Sequence, residues 1–143
     1  MSAQHSDPVV DEVASLVTQI SERLRLDFND TAAGLDLPPA QAIVVARLDE
    51  PAPMRRLAEW LSCDASNVTG IVDGLERRGL VERRTDPADR RVKMVALTDE
   101  GRRRRVSLGR RYHAFTGGLF DLPPEELGTL RDLLARVMAG ADG

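Results

Sequence analysis

A mainly α-helical fold with one small β-hairpin is predicted by three features of this 143-residue chain. Apolar residues recur at three- and four-residue steps along most of its length, interrupted by proline and glycine. The segment Asp86-Pro87-Ala88-Asp89-Arg90-Arg91 has the composition of a turn and sits between two short runs of strand character. Just before it, Leu57 to Gly79 reads as two short helices across a tight turn. A helix-turn-helix followed directly by a basic-tipped hairpin is a winged helix, whose wing arginines are placed to enter a DNA groove.

Each element follows in order. Val9, Val13, Leu16, Val17, Ile20 and Leu24 mark a first amphipathic helix of about six turns. Gly34 and Leu37-Pro38-Pro39 end it and begin a second helix near Ala40 to Leu48. Pro51 and Pro53 bracket the next start, with Leu57, Ala58 and Leu61 on the inner face. The helix from Asp64 to Arg78 has Asp64 as its expected N-cap, docks through Val68, Ile71, Val72 and Leu75, and stops at Gly79. Leu80 to Arg84 and Val92 to Leu97 form the paired strands. Thr98 caps a helix running from about Asp99 to Leu119, with Asp99 and Glu100 at the positive end of its dipole. Pro123-Pro124-Glu125-Glu126 opens the last helix, which carries Leu127, Leu130, Leu134 and Val137 on one face. The chain therefore reads as a single domain. Its winged core spans about 38–98, and helices at about 9–33 and 99–139 have apolar faces that the core cannot wholly cover. Such spare faces at both ends predict a homodimer.

Composition narrows the function. Apolar residues are 42% and charged residues 30%, the balance of a soluble globular protein, and no apolar run approaches a membrane span. The polar start from Met1 to Pro8 has no signal-peptide order, and a single cysteine excludes an internal disulfide framework, so a cytoplasmic location is expected. The net charge of −3 is unevenly spread. Residues 53–111 hold 15 Arg and Lys against 9 Asp and Glu, a net of +6, whereas the rest holds 5 against 14, a net of −9. A basic middle between acidic ends is the footprint of a chain whose middle meets phosphate.

With Val68, Ile71, Val72 and Leu75 inward, the opposite face of that helix carries Ser66, Gly70, Asp73 and Arg77, flanked by Asn67, Thr69 and Gly74. Hydroxyls and an amide near a helix start suit base edges in the major groove, and Gly70 permits close approach. The plainer reading is a helix start with neutral glycines. Two glycines inside one helix, however, cost about 2 kcal/mol against alanine, which that reading leaves unexplained. In the wing, Arg90 and Arg91 are expected at the minor groove and its phosphates, with Asp89 folding the tip and pairing with an arginine. Taken alone, the turn would read only as a soluble edge. Arg102 to Arg105, Arg110 and Arg111 spread around their helix, so they form no single patch; against some facing phosphate and others pairing with the acidic first helix, a solvated, salt-bridged face is the favoured reading.

The stretch LAEWLSCDASNVTGIVDGLERRGLVERRTDPADRRVKMVALTDEG resembles the core signature of the MarR family of winged-helix transcriptional regulators. The correspondence comprises the helix-turn-helix, a Leu-Glu-x-x-Gly-Leu-Val-x-Arg junction, a wing with Asp-Arg-Arg and a closing Leu-Thr-x-x-Gly. The resemblance implies a homodimer joined by its N- and C-terminal helices, acting as a repressor on a pseudo-palindromic operator in double-stranded DNA. It places groove reading on Ser66, Asn67, Thr69 and Gly70, wing contacts on Asp89, Arg90 and Arg91, and a post-helix contact on Arg84. Gly74 departs from the family, which usually has a basic or polar residue there, so a phosphate contact is expected to be missing.

Many relatives release DNA on binding a small phenolic or lipophilic effector, and others respond to cysteine oxidation. Cys63, in the turn between the two helices, reads as a packing residue rather than a sensor, because the redox members carry their cysteine near the N-terminal helix. Trp60, Tyr112, Phe28, Phe115 and Phe120 form no evident aromatic cage. No cofactor is expected and the inventory does not fit an enzyme. His5 and His113 lie near a terminus and in mid-helix, and phosphate-loop, metal-ligand and nucleophile motifs are all lacking. The remaining alternatives are a winged-helix protein-interaction module and a non-specific DNA binder.

Overall fold

The computed structural model describes residues 7–62 and 65–143, with the side chains of Ala65 and Ser66 outside the description. His5, Cys63 and Asp64, the expected N-cap, therefore lie outside the described residues. The chain runs α1 (Pro8–Gly34), α2 (Pro39–Arg47), β1 (Ala52–Pro53), α3 (Met54–Leu61), α4 (Ala65–Arg77), β2 (Val81–Thr85), β3 (Lys93–Leu97), α5 (Asp99–Leu119) and α6 (Pro124–Ala141). Residues up to Tyr112 form one compact unit and His113–Gly143 a second, a boundary that falls within α5.

Helix α1 runs for 27 residues, Pro8–Gly34. Its start is fixed by Asp7, whose carboxylate accepts from the Val9 amide at 2.9 Å, with Pro8 at the first helical position. At its end, Asp36 takes φ 58° and the Leu37 amide returns to the Ala32 carbonyl at 2.8 Å, turning the chain into α2.

The hairpin differs from expectation by one strand. Ala52–Pro53 pairs with β3, opposite Val95 and Met94, so an antiparallel sheet of order β1-β3-β2 replaces the two-stranded ribbon. Two residues ending in proline carry no readable alternation, and tertiary pairing alone makes them a strand. In the wing proper Arg83 lies opposite Val95 and Thr85 opposite Lys93.

Core and sheet meet at one junction. Leu57, Val68, Val72, Leu75, Leu80, Val81 and Val95 are all buried, joined by Val44 and Val45 from α2 and Leu108 from α5. The α4 end closes in a Schellman motif: the Leu80 amide reaches the Leu75 carbonyl and the Gly79 amide that of Glu76, both at 3.0 Å. Gly79 has φ +72°, a backbone conformation that other L-residues rarely adopt. Thr98 then ties the far side of the wing to this turn. Its hydroxyl donates to the Gly79 carbonyl at 2.5 Å and accepts from the Gly101 amide at 3.1 Å, capping α5 as the sequence predicts. In the second unit, α6 starts at Pro124 behind Pro123.

Candidate nucleic-acid interface

Helix α4 enters the site by its docking stripe. Val68, Val72 and Leu75 are fully buried and Ile71 is half-buried, which turns Asn67, Thr69, Gly70 and Arg77 outward, all four exposed. A methyl placed on Gly70 would meet nothing within 4 Å, so the backbone there is open to a close approach from outside. The Ser66 side chain lies outside the described residues. The α3–α4 turn begins with Ser62 in the left-handed region, φ 50°, as the cap of α3.

Gly74 corrects the expectation. It is buried, not on the outward flank, and a Cβ there would come within 2.8 Å of the Gln41 amide nitrogen. That same Gln41 accepts from Arg78 Nη1 at 2.8 Å, and Arg78 Nη2 reaches the Asp36 carbonyl at 2.6 Å. A side chain at this position would therefore have to displace the Gln41 amide before it could reach outward.

The wing tip is organised by its two aspartates. Asp86 accepts from the Ala88 amide at 2.9 Å and Asp89 from the Arg91 amide at 3.0 Å, two side-chain turns that stiffen the segment. The Val92 amide closes on the Asp89 carbonyl and the Asp86 amide on the Val92 carbonyl, both at 3.0 Å. Asp89 also faces Arg91 Nε at 3.5 Å, while the Arg91 side chain stays 93% exposed. Arg90 is exposed beside it. The result is a hydrogen-bonded turn that carries two exposed arginines.

Arg84 and Arg83 divide their roles, a division that the count of basic residues hides. Arg84 is exposed and ion-paired to Glu82 on the same face of β2. Arg83 points the other way, onto α4, where it bridges Asp73 at 2.5 Å and Glu76 at 3.1 Å. The hydrogen bond to Asp73 leads in raising its pKa above the ordinary arginine value. Asp73 therefore sits on the outward face of α4 already engaged. The signal was present in the alternation of β2, where buried Val81 and Arg83 share a face.

The arginine run on α5 is the solvated, salt-bridged face expected, but its acidic partners lie on α5 itself. Arg102 and Arg103 pair with Asp99 and Glu100 of their own first turn, and hydrogen bonds from these arginines hold both carboxyls below the usual range. Arg104 adds a contact to Glu100 at 3.5 Å and donates to the Leu35 carbonyl, and Arg105 donates to the Ala46 carbonyl at 3.3 Å. The last two satisfy carbonyls at the C-terminal ends of α1 and α2 instead of pairing with acidic residues of α1. Helix ends, being backbone features, leave no mark in a charge count.

No helix among the described residues is long and apolar enough to cross a membrane. A family model described as MarR matches residues 44–93, from within α2 to the start of β3. The chain is 30% identical over 95 residues to the HTH-type transcriptional repressor NicR of Pseudomonas putida, covering 65% of this chain and 60% of that protein. It is 31% identical over 101 residues to YxaD, an HTH-type transcriptional regulator of Bacillus subtilis, covering 69% of this chain and 70% of that one. The matched part is half the length of another B. subtilis regulator, YdgJ. Among solved structures, CouR of Rhodococcus jostii RHA1, bound to p-coumaroyl-CoA, superimposes with a TM-score of 0.72 at 32% identity, over 92% of this chain and 95% of that one.

Proposed function

Because the chain belongs to the MarR family of winged-helix transcriptional regulators, we propose that it is a sequence-specific DNA-binding repressor acting as a homodimer. The family consists of transcriptional regulators and not enzymes. The observation that carries the proposal is the pairing of two presented surfaces. One is the outward face of α4 with Asn67, Thr69 and Gly70, and the other is the stiffened wing tip with Arg90 and Arg91 exposed. On this reading α4 lies in a major groove and Ser66, Asn67, Thr69 and Gly70 read bases. Arg77 and Arg84 meet phosphate, and Arg90 and Arg91, oriented by Asp89, enter the neighbouring minor groove.

The dimer is supported by apolar side chains that the described chain leaves in solvent, Val9 at 63% and Leu16 at 57% on α1, and Val137 at 66% and Met138 at 61% on α6. A dimer brings two α4 helices to half-sites one helical turn apart, which calls for a pseudo-palindromic operator. The repressor NicR supports repression, and CouR, bound to a CoA thioester with a phenolic acyl group, supports a ligand with a phenolic part; release of DNA by a small phenolic or lipophilic effector completes the reading.

The test is the double variant Arg90→Ala/Arg91→Ala, measured for DNA affinity and for oligomeric state. Removing two contacts of about 1 kcal/mol or more each from both wings predicts a loss of at least about a hundredfold, with the dimer intact. Unchanged affinity in a folded dimer would overturn the assignment of the wing.

A further inference from the structure

The wing does more than present its tip, because its first strand, β2, also pairs with the recognition helix. We propose that Arg83 acts on the DNA-reading surface through the recognition helix: by bridging Asp73 and Glu76 it cancels carboxylate charge on α4. The inference rests on the DNA-binding reading above.

Its geometry is specific. Val81 is buried, and Arg83, two residues on, projects from the same face of β2 toward the helix, only 27% exposed. One terminal nitrogen meets Asp73 at 2.5 Å and the other meets Glu76 at 3.1 Å. Residues three apart are neighbours on a helix surface, so a single planar guanidinium can span both carboxylates. A lysine, with one compact ammonium, reaches them less well.

Asp73 shares the outward face of α4 with Gly70 and Arg77, by the helical spacing that buries Val68, Val72 and Leu75. An unpaired carboxylate on that face would repel phosphates, and at low ionic strength the repulsion extends over about 10 Å or more. Asp73 would also be free to accept a hydrogen bond from a cytosine amine and so alter what the helix reads. Arg83 removes both effects by engaging the carboxylate from behind. A plain surface ion pair would add little to stability and nothing to DNA binding. The two roles therefore predict different results.

The experiment measures affinity for a labelled duplex taken from upstream of the coding region, at low and high salt. Wild type, Arg83→Gln, Arg83→Lys and the triple variant Asp73→Asn/Glu76→Gln/Arg83→Gln are compared, each with its melting curve and oligomeric state. The expected result is a loss of about tenfold or more for R83Q at low salt, smaller at high salt, with R83K in between. The triple variant, having no carboxylate to neutralise, regains most of the loss. If R83Q melts well below wild type, R83K and the triple variant carry the comparison. An R83Q affinity equal to wild type overturns the proposal. So does a triple variant as weak as R83Q, since unneutralised carboxylates would then not be the cause of the loss. Failure of the wild type to bind any duplex would instead overturn the DNA-binding reading and this inference with it.

Discussion

At Gly101, a methyl group would stand 2.0 Å from the Leu80 carbonyl oxygen, which is itself held by the Thr98 amide at 3.1 Å. Backbone lies on both sides of that contact, so nothing there can yield cheaply. Gly101→Ala is expected to destabilise the fold by about 1–3 kcal/mol through overpacking, read from the midpoint of a urea titration. A midpoint equal to wild type would show that the α5–β3 junction relaxes freely. The closing glycine of the signature was visible in the sequence, but its reason was not, because the clash involves Leu80, twenty-one residues earlier. Gly70 and Gly74 show the same limit from the other side. Both read as outward or flanking, yet one faces open space and the other packs on Gln41. Helical spacing gives the direction of a residue from its own axis, and only the neighbouring helix decides whether that direction is solvent or core. Arg83 and Arg84, adjacent in sequence, were separated only by the pleat of β2.

Among the elements, α5 shows how charge acts through local structure. Asp99 and Glu100 favour the helix N-terminus and pair with Arg102 and Arg103 one turn on. Both carboxyls are held below their usual pKa, with the arginine hydrogen bond as the leading cause. As acid is added, the unfolded chain binds these protons first. The stabilisation is therefore complete near neutral pH and is lost as pH falls through the lowered pKa values. Glu100→Gln is expected to reduce the acid sensitivity of the melting temperature by a small amount, since both groups are exposed. Identical pH profiles for variant and wild type would remove the pairs from the stability account. The helices were legible because capping residues, prolines and apolar stripes mark their ends, as at Thr98 and Gly79. The strand at Ala52–Pro53 was not, since its pairing comes from β3, more than forty residues away.

For the whole molecule, apolar faces on α1 and on α6 stand exposed at once. Large exposed apolar patches mark association surfaces. Val13→Glu/Leu16→Glu on α1 is expected to leave the winged core folded by circular dichroism while shifting the protein to a monomer in light scattering. Because two half-sites then bind independently, affinity for the full operator should fall by about a hundredfold or more. A variant that remains dimeric would exclude α1 from the interface. The basic middle between acidic ends, legible in the sequence, bears on the same scale. Part of it, Arg102 to Arg105, is spent on helix ends and internal pairs, so the positive charge available to DNA is narrower than the count of 15 implies.

The most direct test is fluorescence-anisotropy binding of the purified protein to the DNA upstream of its coding region, with a scrambled duplex as control and a salt series for both. If the chain binds as the proposed dimer and neutralises about eight phosphates, log K should fall against log salt with a slope near −7, and the upstream duplex should bind far more tightly than the scrambled one. A slope near zero would contradict phosphate neutralisation by the basic wing and α4, and equal affinity for the two duplexes would contradict sequence-specific recognition.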